Sequence, residues 1–153
     1  MVTCAGVSTS LSGTDTSGAQ TFSVKYFKAQ TPQASQLFSQ QLTESFKTLV
    51  QTQSPLDLVD EKGELQFEGS ITSYKVIPVA VQASETSSLN RLTVRMKVKY
   101  DNSIETDKSF DRTFEEYAEY SSELDFFSIE ETLWEEIFDK LGQSIYNESL
   151  GNW

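Results

Sequence analysis

Histidine is missing from the 153 residues altogether. That absence removes imidazole acid–base chemistry, His-dependent catalytic triads and imidazole metal ligation. The single cysteine, Cys4, cannot close an internal disulfide, so the redox compartment is not readable from bridges. No apolar run reaches the length of about eighteen residues that a transmembrane helix needs. Glycine (7) and proline (3) are scarce, with no glycine-rich phosphate cradle and no G-x-S-x-G nucleophile elbow. Positive charge is scarce too. Twelve Lys and Arg stand against 23 Asp and Glu, a net charge of −11, and nucleic acid is therefore not an expected partner. With only Met1, Val2 and Thr3 ahead of Cys4, no secretory leader is expected within this chain.

What remains is a foldable composition. Hydrophobic residues make up 37% and aromatics 12%, with 10 Phe and 6 Tyr, which excludes disorder of the whole chain. The length suits one domain that buries roughly 70% of its unfolded surface without a staple. Residues 1–20 are rich in Ser, Thr, Ala and Gly and read as a flexible tether; residues 21–153 read as the domain.

From Thr21 the periodicities begin. Phe22, Val24 and Tyr26 alternate with polar residues, as a half-buried strand requires. Thr31-Pro32 reads as a helix start, and Leu37/Phe38, Leu42, Phe46 and Leu49/Val50 place one apolar stripe on a helix of about 19 residues ending at Ser54-Pro55. Leu56, Leu58 and Val59 form a short extended piece before a turn at 60–63. Leu65, Phe67, Gly69 and Ile71 then alternate, and the pattern continues to Val81 with a break near Pro78. A span so long predicts a bend or bulge. After a loop at 82–88, Leu92, Val94, Met96, Val98 and Tyr100 give the cleanest period of two. Residues 101–107 read as a turn, and Phe110, Arg112 and Phe114 open a strand to about Tyr120. Ser128 and Glu131 fit a capping box ahead of a helix whose stripe is Ile129, Leu133/Trp134, Ile137/Phe138, Leu141 and Ile145, stopped by Gly151. The order β-α-β-β-β-α predicts an α+β two-layer sandwich, with two helices on one face of a mixed, about four-stranded sheet.

Catalytic chemistry finds little support. Glu130, Glu131, Glu135, Glu136 and Asp139 lie on a helix whose other side is apolar, so they read as a solvated face and not an acid–base pair. Asp101, Asp107 and Asp111 are too loosely spaced for a calcium loop. No enzyme, metal or cofactor is expected. The informative polar pattern is Arg91, Arg95, Lys97 and Lys99, which alternate with the apolar row of the third long strand. These four are candidates for binding an anion. If Val98 faces Phe110 across the hairpin, Lys97 faces Asp111 and Glu115 lies near Arg95, so the same residues also read as a cross-strand ladder. Cys4 has two readings as well: an idle thiol, or a lipidation site with a tether behind it. The sequon Asn147-Glu148-Ser149 falls within the final helix and carries no weight.

Cys4 with its Ser/Thr-rich tether and TFSVKYF (21–27) resembles the start of LPS-assembly lipoproteins (LptE) of the Bacteroidetes type. ELQFEGSITSYKVIPVAVQ (64–82) is similar to that family's long second strand and SSLNRLTVRMKVKYDN (87–102) to its third; SFDRTFEEYAEYSS (109–122) and IYNESLGNW (145–153) fit as well. The resemblance spans Thr21 to Trp153. It implies a non-enzymatic protein on the periplasmic side of the outer membrane, lipid-anchored at Cys4. Its partners would be an LptD-type β-barrel, which it plugs and helps to assemble, and LPS. The lipid A and inner-core anions would give Arg91, Arg95, Lys97 and Lys99 a ligand, and residues 114–120 could meet the barrel wall.

Overall fold

The computed structural model describes residues 14–79 and 88–151. Its strands are β1 (Thr21–Val24), β2 (Lys28–Ala29), β3 (Asp57–Leu58), β4 (Leu65–Val79), β5 (Leu89–Asn102) and β6 (Phe110–Ser121). The helices are α1 (Gln36–Gln53) and α2 (Phe126–Leu150), with a 3-10 turn at Thr106–Lys108. The sheet runs β3-β1-β4-β5-β6, and β2 continues alongside β4 beyond the end of β1. β1 is parallel to β3 and β4, while β4, β5 and β6 are antiparallel neighbours. The α+β sandwich with a mixed sheet is therefore as the periodicities predict, with six strands in place of about four. The extra two are β2, too short to carry a period, and β3, which falls within the short extended piece at residues 56–59.

Both helices cover one face. From α1 come Phe38, Leu42, Phe46 and Val50, and from α2 Leu133, Trp134, Ile137, Phe138, Leu141 and Ile145, all buried. Beneath them lie Leu65, Phe67 and Ile71 of β4 and the unbroken row Leu92, Val94, Met96, Val98 and Tyr100 of β5, each at 0–1% exposure. Phe38 is the junction of the two layers. Its ring lies 5.1 Å from Tyr74, 5.3 Å from Trp134 and 5.3 Å from Phe138. Phe46 meets Phe67 at 4.9 Å, and Phe67 meets Tyr100 at 5.0 Å. Edge-on and tilted contacts at these separations add to the area each ring buries.

The bulge in the long strand falls earlier than the break expected near Pro78. Register shifts between Ile71 and Ser73, so Thr72 is the extra residue. Before it the odd residues of β4 face the helices; after it Tyr74 and Val76 do, and Ile77 turns outward at 44% exposure. Pro78 pairs with Asn90 inside the ladder. It is tolerated there because β4 has lost its β1 and β2 neighbours and is an edge strand at that point.

Both helix starts also differ from the sequence reading. Residues 31–34 make a turn, and Ser35 caps α1 by accepting from the Phe38 N–H at 3.0 Å. Apolar content decided the difference: Ala34 is buried at the turn, and α1 begins where the stripe first reaches the core. α2 begins at Phe126 behind Asp125, three residues before the Ser128–Glu131 capping box. Ser128 instead donates to the Asp125 carbonyl from inside the first turn. Phe126 pulls the start forward by packing 5.7 Å from Tyr120. Gly63 has a simpler role: a Cβ there would lie 2.5 Å from the Phe22 backbone, so only glycine lets the β3–β4 turn close on β1.

The chain is held to the domain from Thr14, seven residues ahead of the boundary read from composition. Thr14 bridges Gly151, and its hydroxyl meets Tyr146 and the Gln53 carbonyl. The Asp15 N–H donates to Leu150 O at 2.6 Å, and its carboxylate pairs with Lys108. Ser17 (φ 58°) and Gly18 (φ 84°) then turn the chain through left-handed backbone, and Ser17 Oγ accepts from Asn102 Nδ2 at 3.0 Å. The Lys108 hydrogen bond, aided by the Ser17 N–H, holds the Asp15 carboxyl below its usual range; Asp15 and Glu105 together push Lys108 up.

Phe38→Ala should destabilise the domain by about 3–5 kcal/mol, read by urea unfolding. Asp15→Asn should cost less, about 1 kcal/mol or under, because the pair is about one-third exposed. The Asp15 stabilisation is fully present above its unfolded value of 3.8 and is lost as pH falls through the lower folded value. Melting curves of the wild type and Asp15→Asn should therefore differ at pH 7 and converge as the pH falls through the lowered Asp15 value.

Candidate functional site

Among the described residues no helix covers the outer face of the sheet, and the basic row lies on it. Because Leu92 to Tyr100 fill the core at every second position, Arg91, Arg95, Lys97 and Lys99 all project from the opposite face. The structure brings the four into one line along β5. Whether each is free depends on the β6 register, which differs by two residues from the sequence reading. Val98 lies opposite Arg112 and not Phe110, and Lys97 lies opposite Thr113 and not Asp111. A shift of two preserves which face every side chain occupies, so hydrophobic alternation has no power to detect it. The loop sets it instead. Buried Asn102 extends β5 by accepting from the Ile104 and Glu105 N–H groups at 2.9 and 2.7 Å, which puts Tyr100 opposite Phe110.

With that register the two arginines are engaged. Arg95 lies directly opposite Glu115 and donates from Nε and Nη2 to one carboxylate oxygen at 3.1 and 2.6 Å. Arg91 does the same to Glu119 at 3.1 and 2.5 Å, with its guanidinium 4.1 Å from the centre of the Tyr117 ring. Its hydrogen bond to Glu119 raises the Arg91 pKa further. Lys99 is 3.9 Å from Asp101, a loose contact. Lys97 differs from all three: its cross-strand neighbours are Ser70 and Thr113, and among the described residues no carboxylate lies within 4.0 Å of its ammonium. A ladder thus accounts for Arg91 and Arg95, and the available cation is Lys97.

A second feature lies at the end of the sheet where β4 and β5 leave the described residues, and sequence reasoning missed it. Tyr74, Lys75, Val76, Ile77, Phe126, Phe127 and Glu130 line a groove of about 590 Å³. Val76 is 40% exposed and Phe127 80% exposed. The signal available in the sequence was Phe126-Phe127, adjacent aromatics of which a helix can turn only one to the core. Inside the groove the Tyr74 hydroxyl donates to Glu130 and accepts from Trp134 Nε1 at 2.8 Å. Burial, with the Glu130 hydrogen bond, pushes the Tyr74 pKa well up, so the phenol stays protonated at neutral pH. Glu130 is in this respect a half-buried partner, whereas Glu131, Glu135, Glu136 and Asp139 are exposed. This satisfied chain has no activated nucleophile. Among the described residues no group of three or more His, Cys, Asp or Glu could hold a metal, and no helix is long and apolar enough to cross a membrane. Cys4 lies outside the described residues.

A model of lipopolysaccharide-assembly proteins, LptE, matches residues 19–149. The chain belongs to the LptE family. No curated protein sequence matches it. Solved structures resemble it at low identity. A minor lipoprotein from Acinetobacter baumannii is 12% identical with a TM-score of 0.54, the alignment covering 85% of this chain and 91% of that one. The rare lipoprotein B from Shewanella oneidensis is 8% identical with a TM-score of 0.51, covering 84% and 90%. A neuraminyllactose-binding hemagglutinin homolog from Helicobacter pylori is 10% identical at 0.53, covering 86% and 83%. At such identities the likeness is one of fold, and it is the LptE fold of two helices on an open mixed sheet that they share.

Tyr74→Phe in this LptE-family protein should cost about 1–2 kcal/mol, because it leaves the buried Trp134 N–H without an acceptor. Glu130→Gln, which keeps an acceptor for the phenol, should cost less than half of that in the same unfolding titration.

Proposed function

We propose that the protein is an outer-membrane LPS-assembly lipoprotein that serves as plug and assembly partner of an LptD-type β-barrel. The observation that carries the reading is the family match over residues 19–149. Cys4 is the lipidation site in this reading, and the segment between it and Thr14 is the tether that holds the domain on the periplasmic side. An assembly role requires no reacting group, in accord with a sheet face of charged and hydroxylated side chains and a groove whose polar atoms are mutually satisfied. We also propose that the β5 row contacts LPS anions. Lys97 makes the first contact, Lys99 and Arg95 flank it, and Arg91 is the most committed to its internal partner.

The alternative is a periplasmic or surface-exposed binding module of the same fold. The observation in its favour is that the same fold serves a protein described as a hemagglutinin homolog. The two readings separate in one experiment. The full-length, membrane-anchored protein is captured from its own envelope and its partners are identified by mass spectrometry. One stoichiometric large β-barrel protein is the expected result; a well-solubilised envelope that yields none would favour the binding module.

For the row itself, Arg95→Glu with Lys97→Glu should weaken LPS binding by about tenfold while the far-UV circular dichroism stays unchanged. Arg91→Gln should change it far less. Equal affinity in all three proteins would reduce the row to a cross-strand ladder.

A further inference from the structure

The two edges of the sheet are unlike. On one side the edge is β3 and then β2, two residues each, followed by the stretch of β4 beyond the bulge, where Pro78 stands. Both devices are ways in which proteins discourage a second chain from pairing. The other edge is β6, twelve residues in unbroken register with β5, without proline or bulge.

The direction of its backbone groups follows from one hydrogen bond. The Ser122 N–H donates to Ser88 O at 3.1 Å, so the even residues of this strand point at β5. In an antiparallel ladder the alternate residues point the other way. Asp111, Thr113, Glu115, Tyr117 and Glu119 therefore present both N–H and C=O at the free edge, and all five are exposed. One of these groups has a partner: Lys140 Nζ donates to Tyr117 O at 2.7 Å, which independently fixes that carbonyl as outward.

The side chains of the same residues define what could pair there. Asp111, Glu115 and Glu119 recur at every fourth position on the outer face. Arg95 and Arg91 each place both donors on a single oxygen, Oε2, of Glu115 and Glu119, which leaves the Oε1 atoms as acceptors. No cation lies within 4.0 Å of the Asp111 carboxylate among the described residues. On the inner face, half-buried Phe114 offers apolar surface, while Ala118 is already covered within the core. A second copy of β6 would bring carboxylates against carboxylates, which is unfavourable across strands. A strand with Lys or Arg at every fourth residue and apolar residues between would meet three carboxylates on one face and Phe114 on the other.

We propose that β6 is a strand-acceptor edge, which takes an extended, basic, alternating segment of a partner protein as a seventh strand. The inference goes beyond the LPS reading and does not depend on it. The probe is the end-capped peptide KVTVKVTVK, added to the full-length protein while amide exchange is followed by NMR. Amides of Asp111, Thr113, Glu115, Tyr117 and Glu119 should slow by about tenfold or more, and those of the even residues, already in the β5 ladder, should not change.

Two controls separate strand addition from loose charge attraction. The same peptide N-methylated at alternate residues should give no protection, a result independent of any change to the protein. Thr113→Pro removes an edge N–H without a ladder bond and should abolish protection at its neighbours. Unchanged exchange at millimolar peptide would overturn the proposal, as would equal protection by EVTVEVTVE. Protection that rises with protein concentration alone would assign the edge to a second copy and overturn the choice of partner.

Discussion

The β4–β5 ladder constrains everything else in this molecule. Fourteen residues of β5 lie along fifteen of β4, and the single extra residue at Thr72 sets the phase of the distal half. Were Thr72 to take an ordinary place in the ladder and not bulge from it, Tyr74 and Val76 would face solvent, while Lys75 and Ile77 would enter the core. The junction at Phe38 would then lose its sheet partner, since Tyr74 supplies it. Trp134 would lose the acceptor of its indole N–H for the same reason. One inserted residue thus links the sheet, both helices and the groove at the end of the domain.

The outer face is the counterpart of that arrangement. Five inward positions of β5 are fully buried, so its alternate residues have no choice but the open side, and four of them are basic. Acidic residues of β6 then decide which of these charges is already spoken for. The protein as a whole carries a large excess of carboxylates, yet this face holds cations and anions interleaved. A surface of that kind discriminates by position and not by net charge. Lys97 stands out because two hydroxyl residues flank it, while its row-mates face carboxylates.

Much of this was legible in the sequence, and the parts that were not share a physical cause. The apolar stripes of α1 and α2 and the period of two in β5 follow from burial on one side, which leaves a strong imprint. Two-residue strands such as β2 leave none. Helix starts were misplaced at Thr31 and Ser128 because good capping residues occur more often than caps; Ser35 and Asp125 won through the packing of Ala34 and Phe126. The composition of the basic row was readable, but its state was not. Pairing of Arg95 with Glu115 depends on a register fixed by buried Asn102, and polar anchors of that sort have no periodicity. The polar attachments of Thr14, Asp15 and Ser17 leave no pattern in the sequence for the same reason.

Those attachments have a mechanical meaning. Thr14 touches the last turn of α1 through Gln53 and the last turns of α2 through Tyr146 and Gly151, and one residue later Asp15 grips the β5–β6 turn through Lys108. A pull on the chain ahead of Thr14 is thus divided among three elements before it reaches β1. Bonds loaded side by side yield together, whereas a strand pulled from its end would unzip one bond at a time. These attachments lie at the end of the domain opposite the exposed Phe127, beside the last turn of the helix whose first turn carries that ring. Tension applied ahead of Thr14 would swing the aromatic end away from the point of pull.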